Sequence, residues 1–304
     1  MVENNPYPRD VLSSLQRSQY SHNPGCDRDA VIRYGAFVGS EIESHESLGR
    51  AMLHARSIID ALSLEGKSVA SGTVILADTM SSSKGRFSRV WHAPLGGVWG
   101  CMIHGSTLLP QSRRFVPLAV GVACCEAVYE LGINSAVLRW VNDVLVEGRK
   151  LAGFLVESYT EPRYGEEFNL VGFGINVNNG SFPHELSGMA ISLGEILDTH
   201  VDLSSFTARF LARLAWNFGL LYHEESCELC GDGFSGKNGI HLLLERWGEL
   251  SDTIGQKVVY GFDVMTSPQY EARVKRMNEG GGLVMELKDG FEKTEYSGEV
   301  RYLR

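Results

Sequence analysis

A chain of 304 residues, 43% hydrophobic and 21% charged, has room for about two domains and a sizeable core, with the composition of an ordinary globular protein. Its formal net charge of −9 argues against a nucleic-acid partner, whose binders carry a basic face. No apolar run approaches a membrane span, so no membrane partner is expected.

Met1 to Asp10 lacks signal-peptide character, and six cysteines spread over the chain make no disulfide framework, so the expected location is cytoplasmic. Residues 1–30 are polar, with Asn4-Asn5-Pro6, Pro8 and Asn23-Pro24-Gly25, and read as a loosely held arm. Val31 to Val38 reads as a strand. Gly39 to Glu46 reads as a polar turn able to cap a helix from Leu48 to Leu62, where Leu48, Met52, Ala55, Ile58, Ile59 and Leu62 recur at helical spacing. Thr73 to Ala77 reads as a strand. After it, Asp78 to Arg89 is a Ser-rich loop with Lys84, Arg86 and Arg89 around Gly85. Gly96-Gly97 precedes a strand from Gly100 to His104, and paired glycines there serve either a bulge or close approach of a ligand to the backbone. Phe115 to Leu131 is an apolar helix in which Cys124 and Cys125 are packing thiols.

The most informative stretch is Arg139 to Glu157, RWVNDVLVEGRKLAGFLVE. It reads as strand, tight turn at Glu147-Gly148-Arg149, and strand. Asn142-Asp143 and Lys150 do not suit a plain core hairpin, because unpaired buried charge is costly and such groups are normally paired or face a ligand. Phe168 to Ile175 is a further strand ending in Gly172-x-Gly174-Ile175-Asn176. Without a following helix this Gly-x-Gly is not a dinucleotide fingerprint. Leu203 to Leu221 and Leu242 to Leu250 read as helices. Between them Cys227-x-x-Cys230, flanked by His223 and His241, lacks the second ligand pair of a zinc site and reads as a flexible insertion. From Ser251 the texture changes to short alternating strands, Val258 to Val264, Tyr270 to Met277, Leu283 to Leu287 and Glu299 to Leu303, which suggests a small β barrel.

The central stretch resembles the motif of biotin protein ligases, Lys-Trp-Pro-Asn-Asp, a short strand, then Lys-Leu-Ala-Gly and a closing Val-Glu. The chain has Trp140, Asn142, Asp143, Lys150, Leu151, Ala152, Gly153, Val156 and Glu157 in that order, with Arg139 for Lys and Val141 for Pro. The family's glycine- and arginine-rich loop aligns, from Trp91 and Ala93-Pro94, with Ser83 to Arg89. Gly85, Arg86 and Arg89 match there, and two glycines and two arginines are lost. Tyr296-Ser297-Gly298-Glu299-Val300 resembles the opening of the family's last strand. The resemblance covers about residues 31 to 304, without the Cys227 segment.

It implies an α+β fold: residues 31–250 as a mixed-sheet catalytic domain of the biotin/lipoate ligase type, and 251–304 as an SH3-like barrel. The implied activity joins biotin to ATP as biotinyl-adenylate, with Mg2+, and passes biotin to a lysine of a carrier protein. Lys150, Arg86 and Asp143 are the implied catalytic residues. Ser44, Lys84, Arg89, Trp91, Gly96, Gly97, Asn142, Gly172, Gly174 and Asn176 are the implied substrate-binding residues, although a helix cap accounts for Ser44 equally well. No resident metal site is implied, and a homodimer is left open. A lipoate or octanoate ligase-like enzyme and a non-catalytic ligand-binding homologue are the alternatives.

Overall fold

The computed structural model describes residues 26–141, 143–180, 182–236 and 241–303. The polar segment up to residue 25, and Asn142, lie outside them. The first described element corrects the sequence reading. Arg28–Gly35 is a helix, α1, not the start of a strand from Val31. The Asp27 carboxylate caps it, accepting from the backbone N–H of Asp29 and Ala30 at 3.0 and 3.1 Å. α1 fits closely against a long helix, α6 (Leu203–Cys230). A Cβ at Gly35 would lie 1.9 Å from the Ala215 carbonyl oxygen, and one at Gly219 would lie 2.1 Å from that of Val31.

The first strand is β1 (Ile42–Leu48), in the segment read as a polar turn. It pairs in parallel with β2 (Val74–Met80) at the edge of the sheet, where one flank meets solvent and charged residues are at home. Helix α2 (Ala51–Leu64) follows it, starting three residues later than expected. β3 (Val98–Gly105) leads through a short helix α3 (Pro110–Arg113) to α4 (Val116–Tyr129). α4 is apolar around most of its circumference, as a helix enclosed on all sides must be. The central stretch forms three strands, not two: β4 (Ala136–Arg139), β5 (Asp143–Val146) and β6 (Arg149–Thr160), with β4 and β5 antiparallel as well as β5 and β6. β7 (Glu167–Ile175) completes a seven-stranded mixed sheet of order β1-β2-β3-β7-β6-β5-β4.

A short helix α5 (Leu193–Leu197), then α6 and α7 (Leu242–Leu250) follow. The larger core lies on the face covered by α4, α6 and α7. A smaller core lies on the opposite face, under Ala51, Met52, Ala55 and Ile59 of α2. The Cys227 segment is not an insertion up to Cys230. Both cysteines belong to the last turn of α6, which ends on Gly231 in the left-handed conformation. Cys230 is exposed and Cys227 half-buried, so Cys227→Ser with Cys230→Ser is expected to change stability by no more than about 0.5 kcal/mol. Thermal melting of the double variant checks this.

The remaining strands, β8 (Lys257–Gly261), β9 (Pro268–Met277), β10 (Leu283–Glu286), β11 (Glu292–Glu295) and β12 (Glu299–Tyr302), form an antiparallel sheet of order β11-β10-β9-β8-β12. β11, with sequence EKTE, is an edge strand with no apolar signal and was absent from the sequence reading. This sheet docks beside β4: the Arg139 guanidinium stacks 4.0 Å over the Tyr302 ring, and the Trp140 N–H donates to Thr253 Oγ1 at 3.3 Å. Among the described residues no helix is long and apolar enough to cross a membrane.

Candidate active site

The site begins with glycines. Side chains alternate across a sheet, and on the α2 face the inner strands lack them at Gly153, Gly172 and Gly174. Gly153 and Gly174 are paired across β6 and β7, and the Trp91 indole lies over both. A Cβ on Gly174 would be 2.6 Å from Trp91 Nε1, and one on Gly153 would be 3.0 Å from Trp91 Cζ3. Met52 sits over Gly172, where a Cβ would come within 2.8 Å of its sulfur. The bared sheet is the floor of a cavity of about 340 Å³, within the range of small-molecule sites. Met52, Met80 and Leu155 supply apolar wall. Trp91 Nε1 is buried there with no hydrogen-bond partner, a donor available to a ligand.

Lys150 enters this cavity through a break in register. Between β5 and β6 Val144 pairs with Ala152 but Leu145 pairs with Lys150, so Leu151 is an extra residue, a β-bulge that re-aims its neighbours. Leu151 and Ala152 both join the core, which leaves Lys150 and Gly153 on the cavity side. Lys150 Nζ lies 2.7 Å from Asp143 Oδ1 and 5.4 Å from the centre of the Trp91 ring. Its backbone is held at both ends: its N–H donates to the Met189 carbonyl at 2.7 Å, and its carbonyl accepts from Ile191 N at 3.1 Å and Asn176 Nδ2 at 3.3 Å. Asn176 therefore fixes the lysine's strand.

Three more cations line the cavity from the loop between β2 and β3: Lys84, Arg86 and Arg89. The loop closes on itself through Trp91 N to the Ser83 carbonyl at 3.1 Å and Gly85 N to the Arg89 carbonyl at 2.8 Å. Phe87 takes a positive φ of 54° at its tip, a strained conformation for a bulky residue. The tip also reaches the C-terminal sheet. Arg86 Nη1 donates to the Gly298 carbonyl at 2.7 Å. Arg89 donates to both Glu299 carboxylate oxygens at 2.9 and 2.8 Å and to Asp263. Phe87 meets Phe262 edge to face at 5.2 Å. Burial pulls the Arg86 pKa down, against the pull of Glu299 and Asp143, but a guanidinium starts so high that it stays charged.

Of the residues expected from sequence, Lys84, Arg86, Arg89, Trp91, Asp143, Lys150, Gly172, Gly174 and Asn176 line one cavity. Gly96 and Gly97 stand one layer back. Gly97 lies under the Trp99 ring, Gly96 approaches Asn178, and Trp99 in turn meets Trp91 edge to face at 6.3 Å. Ser44 is exposed on β1, away from the lining. Sequence reasoning missed Arg50, Met52, Met80, Gly153 and Glu299 as lining residues. Arg50 is held by Glu157, Nη2 to Oε1 at 2.8 Å, so the acid closing the central motif positions a cation at the start of α2. Gly153 and Glu299 each lay inside a quoted motif, which was the available signal.

Comparison with known proteins agrees with this geometry. Residues 55–178 match the model of the biotin/lipoate A/B protein ligase family. The chain is 30% identical over 298 residues to the bifunctional ligase/repressor BirA of Bacillus subtilis (strain 168), covering 95% of this chain and 84% of that protein. It is 30% identical over 165 residues to biotin--protein ligase 2 of Arabidopsis thaliana, covering 50% and 48%. In structure it is similar to the biotin protein ligase of Aquifex aeolicus in complex with biotin and ATP, with a TM-score of 0.65, 22% identity, and coverage of 87% of this chain and 99% of that one. A sheet floored by paired glycines, a bulge-directed lysine and a 30% relative along nearly its full length place the chain in the biotin protein ligase family.

Proposed function

We propose that the protein is a biotin–protein ligase, forming biotinyl-5'-AMP from biotin and ATP and transferring biotin to a lysine of a carrier protein such as biotin carboxyl carrier protein. The observation that carries this is the convergence of Lys150, Lys84, Arg86 and Arg89 on a cavity floored by Gly153, Gly172 and Gly174 and walled in part by Met52, Met80 and Leu155. In the first step a biotin carboxylate oxygen attacks the α-phosphorus of ATP and pyrophosphate leaves. Both reactants are anions, so fixed cations lower the barrier by offsetting their repulsion and the charge developing on the leaving group. Lys150 serves the carboxylate and α-phosphate. Arg86, with Lys84 and Arg89, serves the phosphates and adenylate. In the second step the acceptor amine attacks the acyl carbon, AMP leaves, and Asp143 takes the amine's proton.

Trp91, Gly172 and Gly174 shape the slot for the ring and acyl chain. Gly96, Gly97 and Asn176 support it, and Asn142, beside Asp143 in sequence, is assigned to orient phosphate. Asp143 and Glu299 are the carboxylates in the lining among the described residues. A carboxylate together with nucleotide phosphates is the donor set Mg2+ prefers, so Asp143 fits a magnesium ion arriving with ATP. That ion supplies charge screening at the phosphates.

The test is isotope exchange between pyrophosphate and ATP with biotin, lipoate or octanoate as the acid. Exchange driven by biotin alone supports the reading. Exchange driven by lipoate or octanoate makes this a lipoyl-type ligase, and none at all makes it a binding homologue. The −9 charge further predicts no sequence-specific DNA binding. A gel shift that survives physiological salt and competitor DNA would contradict that.

A further inference from the structure

Away from the cavity, three metal-ligating side chains meet at the edge of the sheet. Glu43 and His45 are two residues apart on β1 and so share a face. His54 reaches them from the first turns of α2. Glu43 Oε1 lies 2.7 Å from His45 Nε2 and 3.0 Å from His54 Nε2. The two imidazoles meet edge to face with centroids 4.7 Å apart, and the donor atoms of all three residues lie within 4.8 Å of one another. His54 makes a hydrogen bond to the carboxylate. His45 does not: its Nε2 is buried and without a hydrogen-bond partner, although the carboxylate oxygen is so near. A nitrogen withdrawn from water without a hydrogen bond is costly as it stands. A cation between the three groups would remove that cost by taking its lone pair.

We propose that Glu43, His45 and His54 bind a borderline divalent transition-metal ion, with zinc as the reference case and at least one coordination position left open. Two imidazoles and a carboxylate are the donors such ions select, whereas magnesium and calcium select oxygen. Bond lengths of about 2.0–2.2 Å to each donor put tetrahedral ligands roughly 3.3 Å apart. The two carboxylate–imidazole separations need to open by roughly 0.3–0.6 Å to reach that spacing, and the side chains, 25% exposed for His45, 31% for His54 and 43% for Glu43, have the freedom to adjust. The ion would tie the edge strand to α2 beside the cavity. The His54 N–H donates to the Arg50 carbonyl at 3.2 Å, so the site stands one turn from the residue that opens α2 into the lining. It is distinct from the magnesium that travels with ATP.

The experiment titrates chelator-treated full-length protein with zinc against a chromophoric indicator in millimolar magnesium, in a Cys227→Ser/Cys230→Ser background. The expected result is one site of micromolar affinity or tighter, indifferent to magnesium. His45→Gln, His54→Gln and Glu43→Gln should each weaken it about tenfold or more. Zinc bound only when Cys227 and Cys230 are present, or bound equally by the three variants, would overturn the proposal. Should a variant fail to fold, cobalt(II) in the unsubstituted protein decides. A visible ligand-field spectrum without thiolate charge-transfer absorption supports an imidazole–carboxylate site, and a spectrum with that absorption, or none, refutes it.

Discussion

Lys150→Ala is expected to lower biotinyl-adenylate formation about a hundred- to a thousandfold, the usual cost of deleting one preorganised charge-stabilising group, with almost no change in melting temperature. The two halves of this expectation have separate causes. The side chains of Lys150 and Asp143 are 38% and 31% exposed, and partly exposed ion pairs contribute up to about 1 kcal/mol, less in salt. The bulge at Leu151 and the backbone bonds to Met189, Ile191 and Asn176 do not involve the ammonium group, so the strand keeps its course in the variant. Pyrophosphate release measured beside a thermal melt checks both. Near-normal release would remove Lys150 from the chemistry.

Gly174→Ala is expected to weaken biotin binding about ten- to a hundredfold, the equivalent of roughly 1–3 kcal/mol of overpacking. The added methyl would stand 2.6 Å from Trp91 Nε1 and 2.7 Å from Cε2, closer than van der Waals contact allows, so the indole must leave its seat on the Gly153–Gly174 pair. Trp91 is anchored at its backbone by the bond to Ser83, and its ring has the cavity to move into. The methyl therefore costs binding more than folding. Gly85→Ala is the control: a Cβ there meets only the Arg89 carbonyl oxygen, at 3.8 Å. Calorimetry with biotin on the two variants is the measurement. Equal affinities would mean that the seat of Trp91 does not shape the slot.

The parts of this molecule that were legible in the sequence are those where chemistry and local pattern agree. Lys150 and Asp143 stood out because charges inside apolar β runs need a partner, and each is the other's partner at 2.7 Å. The loop at Ser83 to Arg89 could be placed because Trp91 and Ala93-Pro94 fixed its register. What was not legible depended on contacts distant in sequence. Val31 to Val38 has β-prone residues, yet the Asp27 cap and the close fit of Gly35 and Gly219 make a helix there. β1 and β11 are polar edge strands, specified by their neighbours and not by their own residues. Ser44 was matched to the pocket by resemblance, with a helix cap as the other reading, but it is an exposed residue within β1 and neither caps α2 nor lines the cavity, where Arg50 and Met52 stand instead. The docking of Arg86 and Arg89 on Gly298, Glu299 and Asp263 spans most of the chain length, and no local signal announces it.

The most direct measurement incubates the protein with biotin, ATP and magnesium, removes unbound small molecules, and identifies by mass what stays bound before and after adding a biotin carboxyl carrier domain. The expected result is biotinyl-adenylate in the protein, then its disappearance with release of AMP and biotin in amide linkage to the carrier's target lysine. A carrier with that lysine changed to arginine should leave the adenylate in place. Recovery of unreacted biotin and ATP, or of an adenylate that the carrier never consumes, would contradict the assignment of this cavity to biotin activation and transfer.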